Sequence, residues 1–580
     1  MKWYGWGGEL DRFDPAGRPY LWPFAQKHLA ISADQHRTAP VPLESIVLMP
    51  RRENAAFMAR VTEIFPHSRW SIEDFDRLLH SYGKSTRDLW RVRHGRVDFV
   101  PDCVVYPQSE EEVCQLLEAA NRHGVVIIPF GGGTNVAGCL EIHRPDPRMV
   151  CTVNMRSMNR VLDVDLLSRT ARVQSGILGP DLEQALAQHG LTLGHVPDSF
   201  PHSTLGGWVA SRSAGMFSDG YGNIEDMVLS LRVATPTGFI RTLDVPRASS
   251  GPDANRMCIG SEGTLGIITE ITICVREIRR RREFHGYLFP TFEHGIDAIR
   301  ACRGSGHIPM LSRLNDANRT QLSAAFRRRA GGINSIASSL MKAYIKARGF
   351  DPAAMSLLIC GYEGDNAADV RRQRRPCEKI FGSMRAINLG TSPGTSFAEG
   401  KFDFPFVRDF LMDYDVICDV NETATTWSRL KPLYHQVSKI LHDALHAGER
   451  PYWFGCHISH TYHAGAMLYF SYAFRGTHAK DGTCDMEAEL AHYLSVKRTV
   501  LDCISSAGAT LSHHHAVGYE HLPWLYAESV VGKGTAIDAI KSSVDPNNIM
   551  NPGKLLSGFA LNDWLAGPKA RDNVQIERPI

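Results

Sequence analysis

The 580-residue chain predicts an α/β domain followed by an α+β domain. Three observations carry this. A strand, a helix and a second strand lead straight into a glycine cluster between Asp98 and Asn135. Further loops of small residues stand at the edges of later strands. After Arg282 the texture changes, and isolated strands alternate with longer helices. Alternation of strand and helix builds an α/β layer, whereas segregated runs build α+β. One hydrophobic core holds about 100–200 residues, so at least two are required.

Residues 1–96 are mixed in character and end in a charged helical stretch at 72–93. Residues 98–106 read as a strand. Ser109 is placed to cap a helix over 110–122, whose first turn holds Glu110, Glu111 and Glu112 and whose apolar residues (Val113, Leu116, Leu117, Ala120) recur at helical spacing. Gly124 ends it, and 125–130 is a short apolar strand. Strands follow at 149–154, 170–174, 227–235 and 265–275, with a helix at 180–189. The second domain predicts strands at 283–289, 356–362 and 467–474, and helices at 427–446 and 487–505. The expected organisation is an N-terminal helical extension (1–96), a cofactor domain (97–282), a substrate or cap domain (283–505) and a C-terminal segment (506–580) returning to the cofactor domain.

Composition narrows the class. Apolar residues make up 43% and charged residues 22%, a globular profile that excludes long disorder and coiled coil. Sixty-four Lys and Arg against 62 Asp and Glu leave +2, so no overall field draws the chain to nucleic acid. The basic runs at 279–282, 327–329 and 371–375 read as solvated faces. Thirteen cysteines, none in a C-x-x-C pair, read as free thiols of a reducing compartment. Residues 1–6 lack a signal-peptide core, no window approaches the roughly 20 apolar residues of a membrane span, and 577–580 is not a peroxisomal address. A cytoplasmic protein is expected, with peripheral membrane contact if its substrates are lipids.

Three loops point to a cofactor. Pro129, Phe130, Gly131, Gly132, Gly133, Thr134 and Asn135 follow a buried strand directly. Consecutive glycines let successive N–H groups face one concavity, which suits a diphosphate without a lysine. The loop is neither G-x-G-x-x-G nor G-x-x-x-x-G-K-[ST], so it signals neither a Rossmann site nor a P-loop. Asp198, Ser199, Phe200, Pro201, His202, Ser203 and Thr204, and then Gly260 to Ile267, repeat the small-residue pattern. Together they could line an extended cofactor; a set of tight structural turns is the other reading.

P-x-G-G-G-T-N, the later Tyr221-Gly222-Asn223, G-S-E-G-T-L-G-I-I-T and the closing K-x-x-x-D-P-N-N-x-x-N-P-G-K over 541–554 resemble the vanillyl-alcohol oxidase superfamily. That likeness implies a cofactor domain of the vanillyl-alcohol-oxidase type, joined to an α+β cap. Within the superfamily the chain is most similar to the alkyldihydroxyacetonephosphate synthases. The opening K-W-x-G-W-G, the segment Thr461-Tyr462-x-Ala464-Gly465-Ala466 and the string Leu511-Ser512-His513-His514-His515-x-Val517-Gly518 carry this. The resemblance implies FAD, non-covalent because residues 131–135 hold no histidine. FAD contacts are implied at 129–135 and 198–204, at Ser211, Arg212, Ser213 and Ala214, and at Glu262, Gly263, Thr264, Leu265, Gly266, Ile267 and Ile268. Activity-linked positions fall on Arg313, Arg408, Tyr469, His513, His514 and His515. The implied reaction replaces the acyl chain of acyl-dihydroxyacetone phosphate with a fatty alcohol, without net redox, the flavin serving as electron sink and covalent holder. Lipid substrates and a homodimer follow by resemblance alone.

The residues have readings of their own. A histidine is the natural base near neutral pH, and His514 is the expected one. If the triplet is extended, His513 and His515 face one side and His514 the other. Tyr469 is either a proton carrier or a core aromatic. Arg313 and Arg408 suit a carboxylate or phosphate, or else pair with an acid such as Asp409. Two departures from the family stand out: His457 replaces an arginine, and His463 an aspartate. Both are expected near substrate. The alternative activity is a D-lactate type 2-hydroxy-acid dehydrogenase, but the H-x-G-D-G-N metal string of that branch is absent. No metal is expected, although His457, His460, His463, His513 and His515 could form an imidazole site if they converge.

Overall fold

The computed structural model describes all residues except 143–145, 329–340, 342, 478–483, 529–535 and 557–580. Position 329 of one basic run, the chain end at 577–580 and the expected C-terminal segment beyond 556 therefore lie outside the described residues.

The first layer is a four-stranded sheet in the order Trp70–Ser71, Cys103–Val105, Val150–Asn154, Val126–Phe130. Cys103–Val105 and Val126–Phe130 run parallel to Val150–Asn154. The helix Glu110–His123 is the crossover that parallel pairing requires. Ser109 accepts the Glu112 N–H at 3.2 Å, and Gly124 ends the helix at φ 66, a left-handed conformation that costs glycine little. The strand expected over 98–106 shortens to Cys103–Val105. Pro101 has no N–H to give, and the Asp102 carboxylate is already engaged by the Val150 and Arg52 N–H groups at 2.8 Å.

The helical stretch expected over 72–93 is two helices, Asp74–Leu79 and Thr86–Arg93. It breaks where the chain meets the glycine loop. Lys84 N–H donates to the Asn135 carbonyl at 2.6 Å, and a Cβ on Gly83 would stand 2.3 Å from that same oxygen. Ser85 then caps the second helix. The first 96 residues are shared out: Leu21–Leu29 packs with Phe410, Tyr414 and Trp453, while Ala55–Ile64 joins the core beneath Glu110–His123.

A five-stranded antiparallel sheet follows, ordered Val161–Asp165, Thr170–Gln174, Ile267–Cys274, Val228–Thr235, Gly238–Arg241. The closing motif ties the C-terminal segment to the parallel sheet. Ile127 N–H donates to Ile549 O at 2.8 Å, and Asn551 N–H to Ile127 O at 2.9 Å. Lys541 satisfies its buried ammonium on Thr264 O, Met550 O and Asp545 at 2.6–2.8 Å.

The second domain is a seven-stranded antiparallel sheet ordered Ile387–Gly390, Arg281–Phe289, Ser356–Gly364, Leu311–Asn315, Tyr452–Ile458, Gly465–Arg475, Val416–Thr426. Helices Phe292–Gly304, Ala367–Ser383, Trp427–His446 and Met486–Ser506 share one core with it. Strand periodicity sorts the faces. Leu468, Phe470 and Phe474 belong to that helix-covered core, as do Cys456, Ile458 and Leu314. Their neighbours Tyr469, Ser471, Ala473, His457 and Arg313 therefore face the other way, into a cavity against the cofactor domain.

Candidate active site

The cavity encloses about 440 Å³ and runs between the glycine-rich loops and the open face of the seven-stranded sheet. The whole of 129–135 lines it. So do the candidates from the other cofactor segments, except Phe200, Pro201, His202, Arg212, Thr264 and Leu265. Those six lie outside the lining. Phe200 stacks on Phe402, and the His202 carbonyl presses so closely on Gly132 that a Cβ there would lie 1.9 Å from it. Arg212 turns outward to Glu225 at 3.1 Å. Thr264 donates its hydroxyl to Ser261 O at 2.7 Å, and Leu265 is buried in the protein core.

This wall fits a diphosphate cofactor. Among the described residues, the N–H groups of Gly132, Gly133 and Thr134 donate to no protein acceptor, and all three residues line the cavity. Ser175 Oγ, also in the lining, is buried without a partner. Uncommitted backbone donors in a glycine bend are an anion nest.

The reactive cluster forms around a carboxylate that the sequence reading missed. Antiparallel register sets Glu422 opposite Tyr469, and Tyr469 opposite His457, so three adjacent strands present one row. Glu422 Oε1 accepts the N–H groups of His513, His514 and His515 at 3.0, 2.6 and 2.6 Å and the Ser512 hydroxyl at 2.9 Å. Its other oxygen, Oε2, lies 2.7 Å from His514 Nδ1. The triplet is thus wrapped around a buried anion and is not an extended strand. The expected alternation fails, and the cavity is lined by His514 and His515, with His513 behind them. His513 Nδ1 meets His514 Nδ1 at 2.8 Å, while its Nε2 meets the Tyr462 hydroxyl, which Asn223 also reaches at 3.0 Å. The Tyr221-Gly222-Asn223 motif thereby contacts the cluster. Glu262 fixes the far side, accepting the Val517 and Gly518 N–H groups at 2.7 and 2.9 Å, and Asn135 donates to His515 O at 3.2 Å.

Charge follows from burial. Desolvation raises the Glu422 carboxyl, but His514 and His515 outweigh it and hold the group well below the ordinary range. Burial, reinforced by His514, pulls His513 down to about 3. Burial likewise pulls His515 to about 3 against the opposing Glu422 charge. His457 and His460 are pushed well below their usual value, chiefly by burial. Burial raises Asp198, with Arg313 opposing, and raises the Tyr469 phenol, with Asp198 adding to it. His460, His513 and His514 offer ligand atoms within 4.8 Å of one another, and so do Glu422, His514 and His515. This grouping excludes His457 and the exposed His463, so the five-histidine site does not assemble as spelled in sequence.

The two arginines take different places. Arg408, on Phe404–Met412, donates to Lys84 O and lies over the Trp6 ring at 5.7 Å. Asp409 does not pair with it; that carboxylate takes the Trp6 N–H at 2.6 Å. Arg313 sits over Phe397 and Phe404, each at 5.7 Å, and makes no ion pair among the described residues. Of the two family departures, His457 lies in the cavity lining and His463 does not. Beyond the arginines the cavity continues as an apolar arm walled by Phe13, Leu21, Phe326, Phe410, Trp453 and Ala473. Its residues come from five separated segments, so no single motif announced it.

Fold and cavity define an FAD protein of the FAD-linked oxidase class. Residues 101–244 match the family described as FAD binding domain, and residues 278–555 the family described as FAD linked oxidases, C-terminal domain. FAD is the cofactor. The alkyldihydroxyacetonephosphate synthase of Dictyostelium discoideum is 37% identical over 96% of this chain and 93% of its own length. A solved alkyldihydroxyacetonephosphate synthase structure superposes with a TM-score of 0.80 at 35% identity, covering 96% of this chain and 98% of that one. The mitochondrial D-lactate dehydrogenase (cytochrome) of Arabidopsis thaliana stands further off, 28% identical over 79% of this chain and 74% of its own. The chain belongs to the alkyldihydroxyacetonephosphate synthase family.

Proposed function

We propose that this enzyme replaces the acyl chain of acyl-dihydroxyacetone phosphate with a fatty alcohol, a step of ether-lipid synthesis. The observation that carries this is the continuity of one cavity, from FAD-type glycine loops past Tyr469, His514 and Arg313 into an apolar arm. The C1–O bond breaks with its electron pair leaving on the acyl oxygen. The alcohol oxygen forms the new C1–O bond and gives up its proton, so one carboxylate and one proton emerge and no electrons are gained or lost. Bound FAD supplies an electron sink at the substrate carbon. Held without a covalent link, FAD is expected in the supernatant after acid precipitation.

The chain's own groups do the rest. With the His514 proton on Nδ1 and shared with Glu422, Nε2 carries the basic lone pair. Tyr469, with its pKa raised, remains protonated and can donate. Arg313 and Arg408 meet the anionic ends of the substrate. The apolar arm holds the chain and keeps water from the reacting carbon. No helix among the described residues is long and apolar enough to cross a membrane. The family resemblance suggests lipid substrates, and with them peripheral contact with a membrane surface from the cytoplasm and a homodimer.

The test is purified holoprotein with acyl-dihydroxyacetone phosphate and labelled fatty alcohol. Ether product and released fatty acid are expected in equal amounts. Bleaching of the flavin by a 2-hydroxy acid under anaerobic mixing, with no ether formed, would replace this reading with the dehydrogenase one.

A further inference from the structure

We propose that Arg319 joins Arg313 in a two-guanidinium seat for the carboxylate of the departing fatty acid, and so is a substrate-positioning residue. The proposal rests on the exchange reaction above.

Arg319 is the third residue of the helix Ala317–Ala325, whose N-cap Asp316 accepts its backbone N–H at 2.8 Å. The side chain is 6% exposed and lines the cavity. Its one described side-chain hydrogen bond is to Ser471 Oγ at 3.1 Å, a neutral partner. Among the described residues no carboxylate lies within ion-pair distance of it. Burial and the neighbouring Arg313 lower it to about 10, so it stays a cation at neutral pH. A buried cation without a protein anion is costly unless a ligand supplies the charge.

Room for it has been made. A Cβ on Gly455 would come within 3.0 Å of Arg319 Cγ, so the bare backbone of the strand Tyr452–Ile458 is what admits the stem. Two residues along that strand, the resemblance places an arginine where this chain has His457, a neutral ring in the same cavity lining. The positive charge absent from that position is supplied from the adjacent helix instead.

Position selects the anion. Arg313 and Arg319 both sit over the ring of Phe404, at 5.7 and 5.3 Å, and Phe404 stacks on Phe326 of the apolar arm at 6.2 Å. A chain lying in that arm brings its own head group under the two guanidiniums. On acyl-dihydroxyacetone phosphate that head is the carboxyl carbon, with the phosphate at the opposite end of the three-carbon unit.

The experiment titrates holoenzyme with palmitate, followed by the flavin difference spectrum, in the wild type, Arg319→Gln and Arg319→Lys. Dihydroxyacetone phosphate and inorganic phosphate are titrated in parallel. Loss of a hydrogen-bonded charge should weaken palmitate roughly 10- to 100-fold in Arg319→Gln, with Arg319→Lys between it and wild type and phosphate affinities unchanged. Unchanged palmitate affinity overturns the proposal, and so does a loss confined to the two phosphates. Should Arg319→Gln fail to retain FAD, the Lys variant decides: it keeps the charge but not the fork, and palmitate binding equal to wild type refutes the seat. Binding needs no turnover, so absence of ether synthesis in the wild type would reject the exchange reaction while leaving this measurement intact.

Discussion

Glu422→Gln isolates what the buried carboxylate does, because it keeps shape and one oxygen while removing the charge. In the native site Oε1 collects three backbone N–H groups and the Ser512 hydroxyl, and Oε2 faces His514 Nδ1 at 2.7 Å. The amide can keep its oxygen toward the backbone donors only by turning its NH₂ toward Nδ1. Two donors then confront each other, and His514 must move its proton to Nε2, the atom assigned to accept. A general base contributes about 10²–10⁴ in rate, so kcat should fall by that factor. Hydrogen bonds to a charged group are worth about 1.5–3 kcal/mol against 0.5–1.5 for neutral ones, and relief of the buried charge returns part of the difference. A net destabilisation of roughly 1–3 kcal/mol at pH 7 is expected. Its pH dependence has a definite sign. The folded carboxyl is held below its ordinary value, so its contribution is full above the unfolded pKa of about 4.3 and fades as pH falls through the folded one. The stability gap between wild type and variant should therefore close in acid. Ether formation, FAD content and urea unfolding at several pH values measure these effects. A variant that retains FAD and wild-type kcat would refute the base assignment, and a gap that widened in acid would refute the charge reasoning.

Other perturbations separate binding from chemistry. His514→Ala should abolish ether synthesis while leaving the flavin spectrum almost intact; colourless protein would mean the ring is structural. Gly132→Ala places a methyl 1.9 Å from His202 O, so the loop must move and the protein should purify with little FAD, measured by its absorbance ratio. Ala473→Phe fills the apolar arm beside Trp453, and overpacking costs about 1–3 kcal/mol. The preferred alcohol should shorten, as competition between labelled chain lengths would show; an unchanged preference would mean that the chain lies elsewhere.

Much of the architecture was legible because it is local. Ser109 and Gly124 bracketed their helix correctly, and the helix expected over 427–446 is Trp427–His446 in the structure. The glycine loops could be placed because only backbone freedom explains three adjacent glycines behind a buried strand. The break at Gly83 was not legible, since its cause is the Asn135 carbonyl, 52 residues away by subtraction of the two numbers.

The reactive cluster shows where such reading stops. Period-two alternation assigns each strand residue a face: Leu468, Phe470 and Phe474 on one side imply Tyr469 on the other. It does not say which strand lies alongside, nor in what register. Slipping the pairing of Val416–Thr426 by one residue would turn the Glu422 side chain into the helix-covered core and bring Asn421 or Thr423 to the histidines. Neither is an anion, so neither could gather three N–H groups and an imidazole on one carboxylate. The histidine string was therefore readable as a motif, while the geometry that gathers it around one carboxylate is a property of sheet register, fixed by contacts spread over the whole second domain.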